Sequence, residues 1–208
     1  MEHTAFRPDA EFEAGGTADL RAAPRYTLLI RAAKLICAQG EFICVIRDVS
    51  TTGVSVRLFH SLPKCDQIAL ELRTGEIYEI EKRWGKPGEA GFEFNAPVDV
   101  QRLVTEVGQY PKRGLRLGIE FPVIIKTLTQ RNSAIIKNIS QQGARIECDT
   151  LLAMDQTVHI ESGDMREVQA KVRWRRSSDY GVVFDDTFTL GDFAKLAASL
   201  QCPALLQD

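Results

Sequence analysis

IRDVSTTG, residues 46–53, returns as IKNISQQG, residues 136–143, ninety positions further on. At the same offset Arg83-Trp84 matches Arg173-Trp174, Gly91 matches Gly181, and Phe94 matches Phe184. Four separated features on one gap-free offset mark a tandem duplication of a unit of about 90 residues. Upstream the offset becomes 91, aligning Arg25 with Arg116 and Arg21 with Lys112. The change is expected between AQGE and QRN, where a hairpin turn tolerates an inserted residue.

Each unit reads as short strands followed by a helix. Leu28, Leu29, Ile30, Leu35 and Ile36 belong to a β-rich opening stretch. EFICVIRDV, GVSVRLF, QIALEL, EIYEIEKRW and AGFEF follow, separated by Pro, Gly and Asp-rich turns. In EVQAKVRW the alternation predicts Val168, Ala170, Val172 and Trp174 on one face and Glu167, Gln169, Lys171 and Arg173 on the other. Trp84 and Trp174 are thus expected in the core or under the helix, with Arg83 and Arg173 exposed opposite them. Six such strands suit a small closed antiparallel barrel, which removes edge strands. Val100, Leu103, Val104 and Val107 form an apolar helical stripe in the first unit, and Phe193, Leu196, Ala197 and Leu200 repeat it in the second. One apolar face requires each helix to dock on a barrel or a partner.

The 208 residues carry a net charge of -2, with 44% hydrophobic and 26% charged residues. This is the composition of a soluble globular protein. No apolar run approaches membrane-spanning length, the acidic N-terminus lacks a signal-peptide core, and a cytoplasmic location is expected. Residues 1–20 hold five acids and one base, so they read as an acidic, disordered tail; the remaining chain carries a small positive surplus. Of 26 bases, 17 are Arg, the residue suited to bidentate recognition of phosphate or guanine. Cys37, Cys44, Cys65, Cys148 and Cys202 form no CxxC pair and no zinc spacing, and are expected as reduced thiols. His3, His60 and His159 are isolated, so local sequence offers no metal site, cofactor fingerprint or catalytic residue.

The first unit contains RAAPR (Arg21, Arg25) and then DVSTTG (Asp48, Ser50, Gly53). This RxxxR … [DN]xSxxG order, with the Trp84 to Phe94 ending, resembles the PilZ domain. The second unit offers Asn138, Ser140 and Gly143 and the RWRRSSDYGVVF ending, but KRGLR places Lys112 where the first Arg belongs, beside Arg113 and with Arg116 retained. The resemblance implies an all-β fold with terminal helices: two tandem six-stranded antiparallel PilZ-type barrels, each followed by an α-helix. The first domain is expected over 21–108 and the second over 109–208.

The resemblance also implies a ligand, the bacterial second messenger cyclic di-GMP, and no cofactor or enzymatic activity. Chemistry is consistent with each implied role. Arg21 and Arg25 offer forks to guanine O6/N7 or to phosphate. Asp48 accepts from guanine N–H groups. Ser50, two residues on, is expected on the Asp48 face with its hydroxyl toward the ligand. Gly53 is expected to permit a turn and close ligand approach. Lys112 keeps charge but loses the planar fork, with Arg113 as a neighbour able to compensate. Tight binding is therefore expected in the first unit and weak or no binding in the second.

The expected receptor changes conformation on binding and signals through an unidentified protein partner. The alternative is a degenerate PilZ adaptor that binds little or no nucleotide. Nucleic acid is disfavoured as a partner by the missing basic surplus and by 8% aromatics without a stacking cluster. Oligomeric state is left open by the sequence.

Overall fold

The computed structural model describes residues 26–105 and 114–207. The expected acidic tail, and the expected site or stripe residues Arg21, Arg25, Lys112, Arg113 and Val107, lie outside them. The first unit comprises β1 (Tyr26–Cys37), β2 (Gly40–Val49), β3 (Gly53–Leu58), β4 (Ile68–Glu71), β5 (Ile77–Lys86), β6 (Glu89–Phe94) and α1 (Val100–Thr105). These strands close in the order β1-β2-β3-β6-β5-β4, all antiparallel.

The second unit comprises β7 (Arg116–Leu117), β8 (Phe121–Lys126), β9 (Arg131–Ser140), β10 (Gly143–Glu147), β11 (Thr157–Glu161), β12 (Val168–Arg176), β13 (Asp179–Phe184) and α2 (Leu190–Gln201). The pairing of β10 with β9 closes the same six-stranded ring, and β7 adds to the end of β9. Strands β7 and β8 together repeat β1, which carries a register shift between Thr27 and Arg31.

That shift relocates the one-residue offset. Leu35 pairs with Leu70 as Ile125 pairs with Ile160, so the β1 and β8 hairpins already match at ninety positions. Tyr26 pairs with Val49 as Leu117 pairs with Ile139, and these differ by ninety-one on the first strand. The extra residue therefore lies in the bulged segment before Arg31, not in the hairpin turn. A bulge absorbs one residue without disturbing the pairing on either side.

Each barrel is filled by its own alternating side chains. Leu35, Phe42, Cys44, Ile46, Val56 and Leu70 fill the first, and Ile125, Ile136, Ile146, Val158, Val172 and Tyr180 the second. Burying one such aliphatic side chain contributes about 1.5–3 kcal/mol before its entropy cost.

Helix α2 begins at the N-cap Thr189, whose hydroxyl oxygen accepts from Asp192 N at 3.1 Å. Of its predicted stripe, Phe193, Leu196 and Ala197 are buried in the second core and Leu200 packs against it; Ala194 joins them. Ala198 and Leu205 instead complete the first core, and Ile43 of β2 joins the second. The helix is thus shared between the barrels.

Gln201 secures this seam. Its amide oxygen accepts from Glu41 N at 2.8 Å, and its amide nitrogen donates to Glu41 O at 2.7 Å. The Glu41 carboxylate also accepts from Gly118 N at 3.1 Å and pairs with buried Lys34. Gln201→Ala is expected to cost about 1–2 kcal/mol, since it leaves two half-buried backbone groups unpaired. Thermal unfolding should show a melting temperature lower by about 2–6 °C.

Candidate functional site

Strand register gathers the motif residues into one row across the outside of each barrel. In the first, Asp48 is the Cα partner of Ser55, Ser55 of Gly91, and Gly91 of Trp84. In the second, the row runs Asn138, Arg145, Gly181, Trp174. Directly paired residues share a face, so these four side-chain positions line one surface. A cleft in the first barrel is bordered by Asp48, Ser50, Ser55, Arg83, Trp84 and Gly91.

The tryptophans correct the expectation of core packing. Trp84 is 40% exposed and Trp174 43% exposed. Register shifts between Lys82 and Trp84, and between Val172 and Trp174, place an extra residue in each strand. One extra residue reverses the alternation, so Trp174 leaves the face of Val168, Ala170 and Val172. Each indole lies over the glycine of the neighbouring strand. A Cβ on Gly91 would stand 2.0 Å from Trp84 Nε1, and one on Gly181 1.8 Å from Trp174 Nε1. The glycine is the shelf on which the ring rests, and in the first barrel Lys86 Nζ stands 5.9 Å from the centre of the Trp84 ring.

Arg83 and Arg173, expected to be exposed, are exposed in the bulges. Arg83 Nε donates to Glu93 at 2.5 Å and Nη1 to Glu81 at 3.2 Å. Arg173 Nη1 donates to Asp155 at 2.8 Å.

Ser50 and Ser140 are buried and face their turns. Ser50 Oγ accepts from Gly53 N at 3.1 Å and donates to Gly53 O at 3.3 Å. Ser140 Oγ donates to Gly143 O at 3.0 Å. The Ser50 hydroxyl is thus held by its own turn, at the border of the cleft it shares with Asp48. Ser50 lies beyond the end of β2, and a serine there closes a local turn. The glycines are likewise explained by their neighbours. A Cβ on Gly53 would meet Phe92 O at 2.9 Å, and one on Gly143 Val182 O at 2.2 Å. Close approach of an adjacent strand excludes a side chain here.

The polar residues of the rows differ between barrels. Ser55 Oγ donates to Asp48 Oδ2 at 3.0 Å. In the second barrel Arg116 Nη1 donates to Asn138 Oδ1 at 3.0 Å, joining the two half-motifs in space. Arg145 holds Asp179 through Nε at 3.0 Å and Nη2 at 2.6 Å. That fork keeps the Asp179 carboxyl below its usual range. Val183 stands in register with Gly143 as Glu93 stands with Gly53, so the second surface lacks that acid. Its row combines an amide, held by Arg116, with Arg145, where the first combines a carboxylate with a hydroxyl.

Ser55 and Arg145 were not among the sequence-based candidates. Their signal was present: each lies two residues after the motif glycine, and alternation in GVSVRL and GARIE puts that position outside. Among the described residues, no group of three or more His, Cys, Asp or Glu is placed to hold a metal ion. No helix among them is long and apolar enough to cross a membrane.

The sequence pattern of the PilZ domain matches residues 19–132 and, overlapping them, 112–201. No curated protein matches the sequence. Among solved structures, the PlzA protein of Borreliella burgdorferi in complex with c-di-GMP is 12% identical. That comparison covers 83% of this chain and 88% of that one, with a TM-score of 0.34. The inhibitor of motility MotI/DgrA of Bacillus subtilis is 13% identical over 82% of this chain and 95% of that one, with a TM-score of 0.34. YcgR of Escherichia coli in complex with c-di-GMP is 13% identical over 74% and 75%, with a TM-score of 0.28.

Proposed function

The chain belongs to the PilZ domain family, and from that premise we propose that it is a receptor for cyclic di-GMP, with one binding surface on each barrel. The observation that carries this reading is the bond from Arg116 to Asn138, which unites the retained arginine of the front motif with the [DN]xSxxG segment, on a surface whose row ends at a half-exposed tryptophan. Guanine and phosphate are the groups such a surface suits. An acceptor side chain takes the guanine N–H groups, arginine forks take O6/N7 or phosphate oxygens, and the indole offers an apolar face to a base.

In the first barrel, Arg21 and Arg25 supply the forks and Asp48 the acceptor. In the second, Arg116 and Asn138 do so, with Arg145 adding the fork that Lys112 lacks. Arg145 would exchange its fork on Asp179 for a fork on a ligand anion, one charge-assisted pair replacing another. The first barrel, with two motif arginines and a carboxylate, is the tighter site. Ligand contact with the arginine segments differs between free and bound states, and this drives the conformational change. Output passes through a partner protein or through self-association.

Titration calorimetry with cyclic di-GMP tests the assignment. Arg116→Ala should remove the weaker binding event and leave the tighter one. Arg145→Ser should weaken that same event about tenfold, the loss of one charge-assisted bond. Arg25→Ala should remove the tighter event. Loss of the tighter event in Arg116→Ala alone would reverse the assignment. No binding, with no ligand-induced rise in melting temperature, would favour the adaptor.

A further inference from the structure

Two thiols meet where the first barrel receives α2. Cys37 ends β1, and Cys65 lies in the segment between β3 and β4. The Cys65 thiol donates to Cys37 Sγ at 2.6 Å across 28 positions of chain. A disulfide requires the two sulfurs to close by only about half an ångström. The flanking chain is tied as well, since Gln39 Nε2 donates to Lys64 O at 3.4 Å. Cys44 and Cys148 are buried, but Cys37 and Cys65 are half-buried and border a hollow of about 900 Å³. A small thiol reagent can therefore reach them.

The same two segments form the seat of the C-terminal helix. Gly40 and Glu41, just after Cys37, hold Gln201. Before Cys65, the Phe59 ring lies 3.5 Å from where a Cβ of Gly191 would be, and Ser61 N donates to Leu205 O at 3.0 Å.

We propose that Cys37 and Cys65 form a reversible disulfide site, whose oxidation clamps the seat of α2. The oxidant class is a low-molecular-weight disulfide. The Cys65 thiolate attacks one oxidant sulfur, the oxidant S–S bond breaks, and one small thiolate leaves and takes up a proton. The Cys37 thiolate then attacks the Cys65 sulfur and expels the second small thiol. Two protein thiols become one disulfide, and one small disulfide becomes two thiols. Burial pushes the Cys37 thiol up to about 11, so its step depends on the contact with Cys65, which makes the attack intramolecular.

The test incubates the reduced full chain with oxidised glutathione, blocks free thiols, and maps the peptides by mass. The expected result is loss of two of the five thiols and a peptide linking Cys37 to Cys65, reversed by dithiothreitol. The melting temperature should rise by several degrees on oxidation, because the bond closes a loop of the unfolded chain. Cys65→Ala should show neither bridge nor rise. Five unlinked thiols, or a bridge to Cys202, would overturn the site. A Cys37–Cys65 bridge with unchanged amide hydrogen exchange in α2 would overturn the clamp. All these readouts are independent of nucleotide.

Discussion

Asp48→Ala should lower the affinity of the first barrel for cyclic di-GMP by tenfold to a hundredfold, about 1.4–2.7 kcal/mol. The carboxylate is the acid of its cross-strand row and sits in register with Ser55, which donates to it. A guanine offers two N–H donors side by side, and a carboxylate accepts both. Bonds to a charged acceptor are worth about 1.5–3 kcal/mol. Asp48→Asn should recover part of the loss, because it places in the first row the amide that the second row carries as Asn138. The Ala variant should melt within a few degrees of the parent, since Asp48 is only half-buried and its removal leaves no cavity. Unchanged affinity in a normally folded Asp48→Ala protein would remove Asp48 from the site.

The second large effect concerns stability. Gly143→Ala should cost about 2–3 kcal/mol and lower the melting temperature by about 5–10 °C, measured by calorimetry or circular dichroism. A Cβ there would lie 2.2 Å from Val182 O and 3.2 Å from Val182 C. Those are backbone atoms of β13, held in the ladder that pairs Gly143 with Val183. The sheet must open locally to admit the methyl. Gly53→Ala, where Phe92 O stands at 2.9 Å, should cost less. Gly181→Ala meets a side chain instead, the Trp174 indole. An exposed ring can turn away, so this variant should be milder in stability yet strip the aromatic from the row. An equal loss in all three would show that β-propensity, not neighbour geometry, sets the cost.

These contrasts mark the reach of sequence reading. The repeat, the positions of the strands and the apolar stripe of α2 were legible, because each depends on residues close together in the chain. Asp48 and Asn138 were legible as acceptors for the same reason. The outward tryptophans were not: period-2 reasoning carries Trp174 into the core, and one bulge at Arg173 reverses it. The turn bonds of the Ser50 hydroxyl were not legible for a related reason, since the strand ends at Val49 and alternation ends with it.

Sequence by itself determined that this is a duplicated β unit of the PilZ type, with an acid in one motif and an amide in the other. Only the tertiary structure decided which residues stand beside them. Ser55 and Arg145 enter the rows through cross-strand register, Trp84 and Trp174 through bulges, and Ala198 and Leu205 complete the first core although they belong to the second repeat. The physical reason is one of range. Periodicity and turn chemistry are local, whereas register, bulge placement and helix docking are fixed by what lies on the neighbouring strand or barrel.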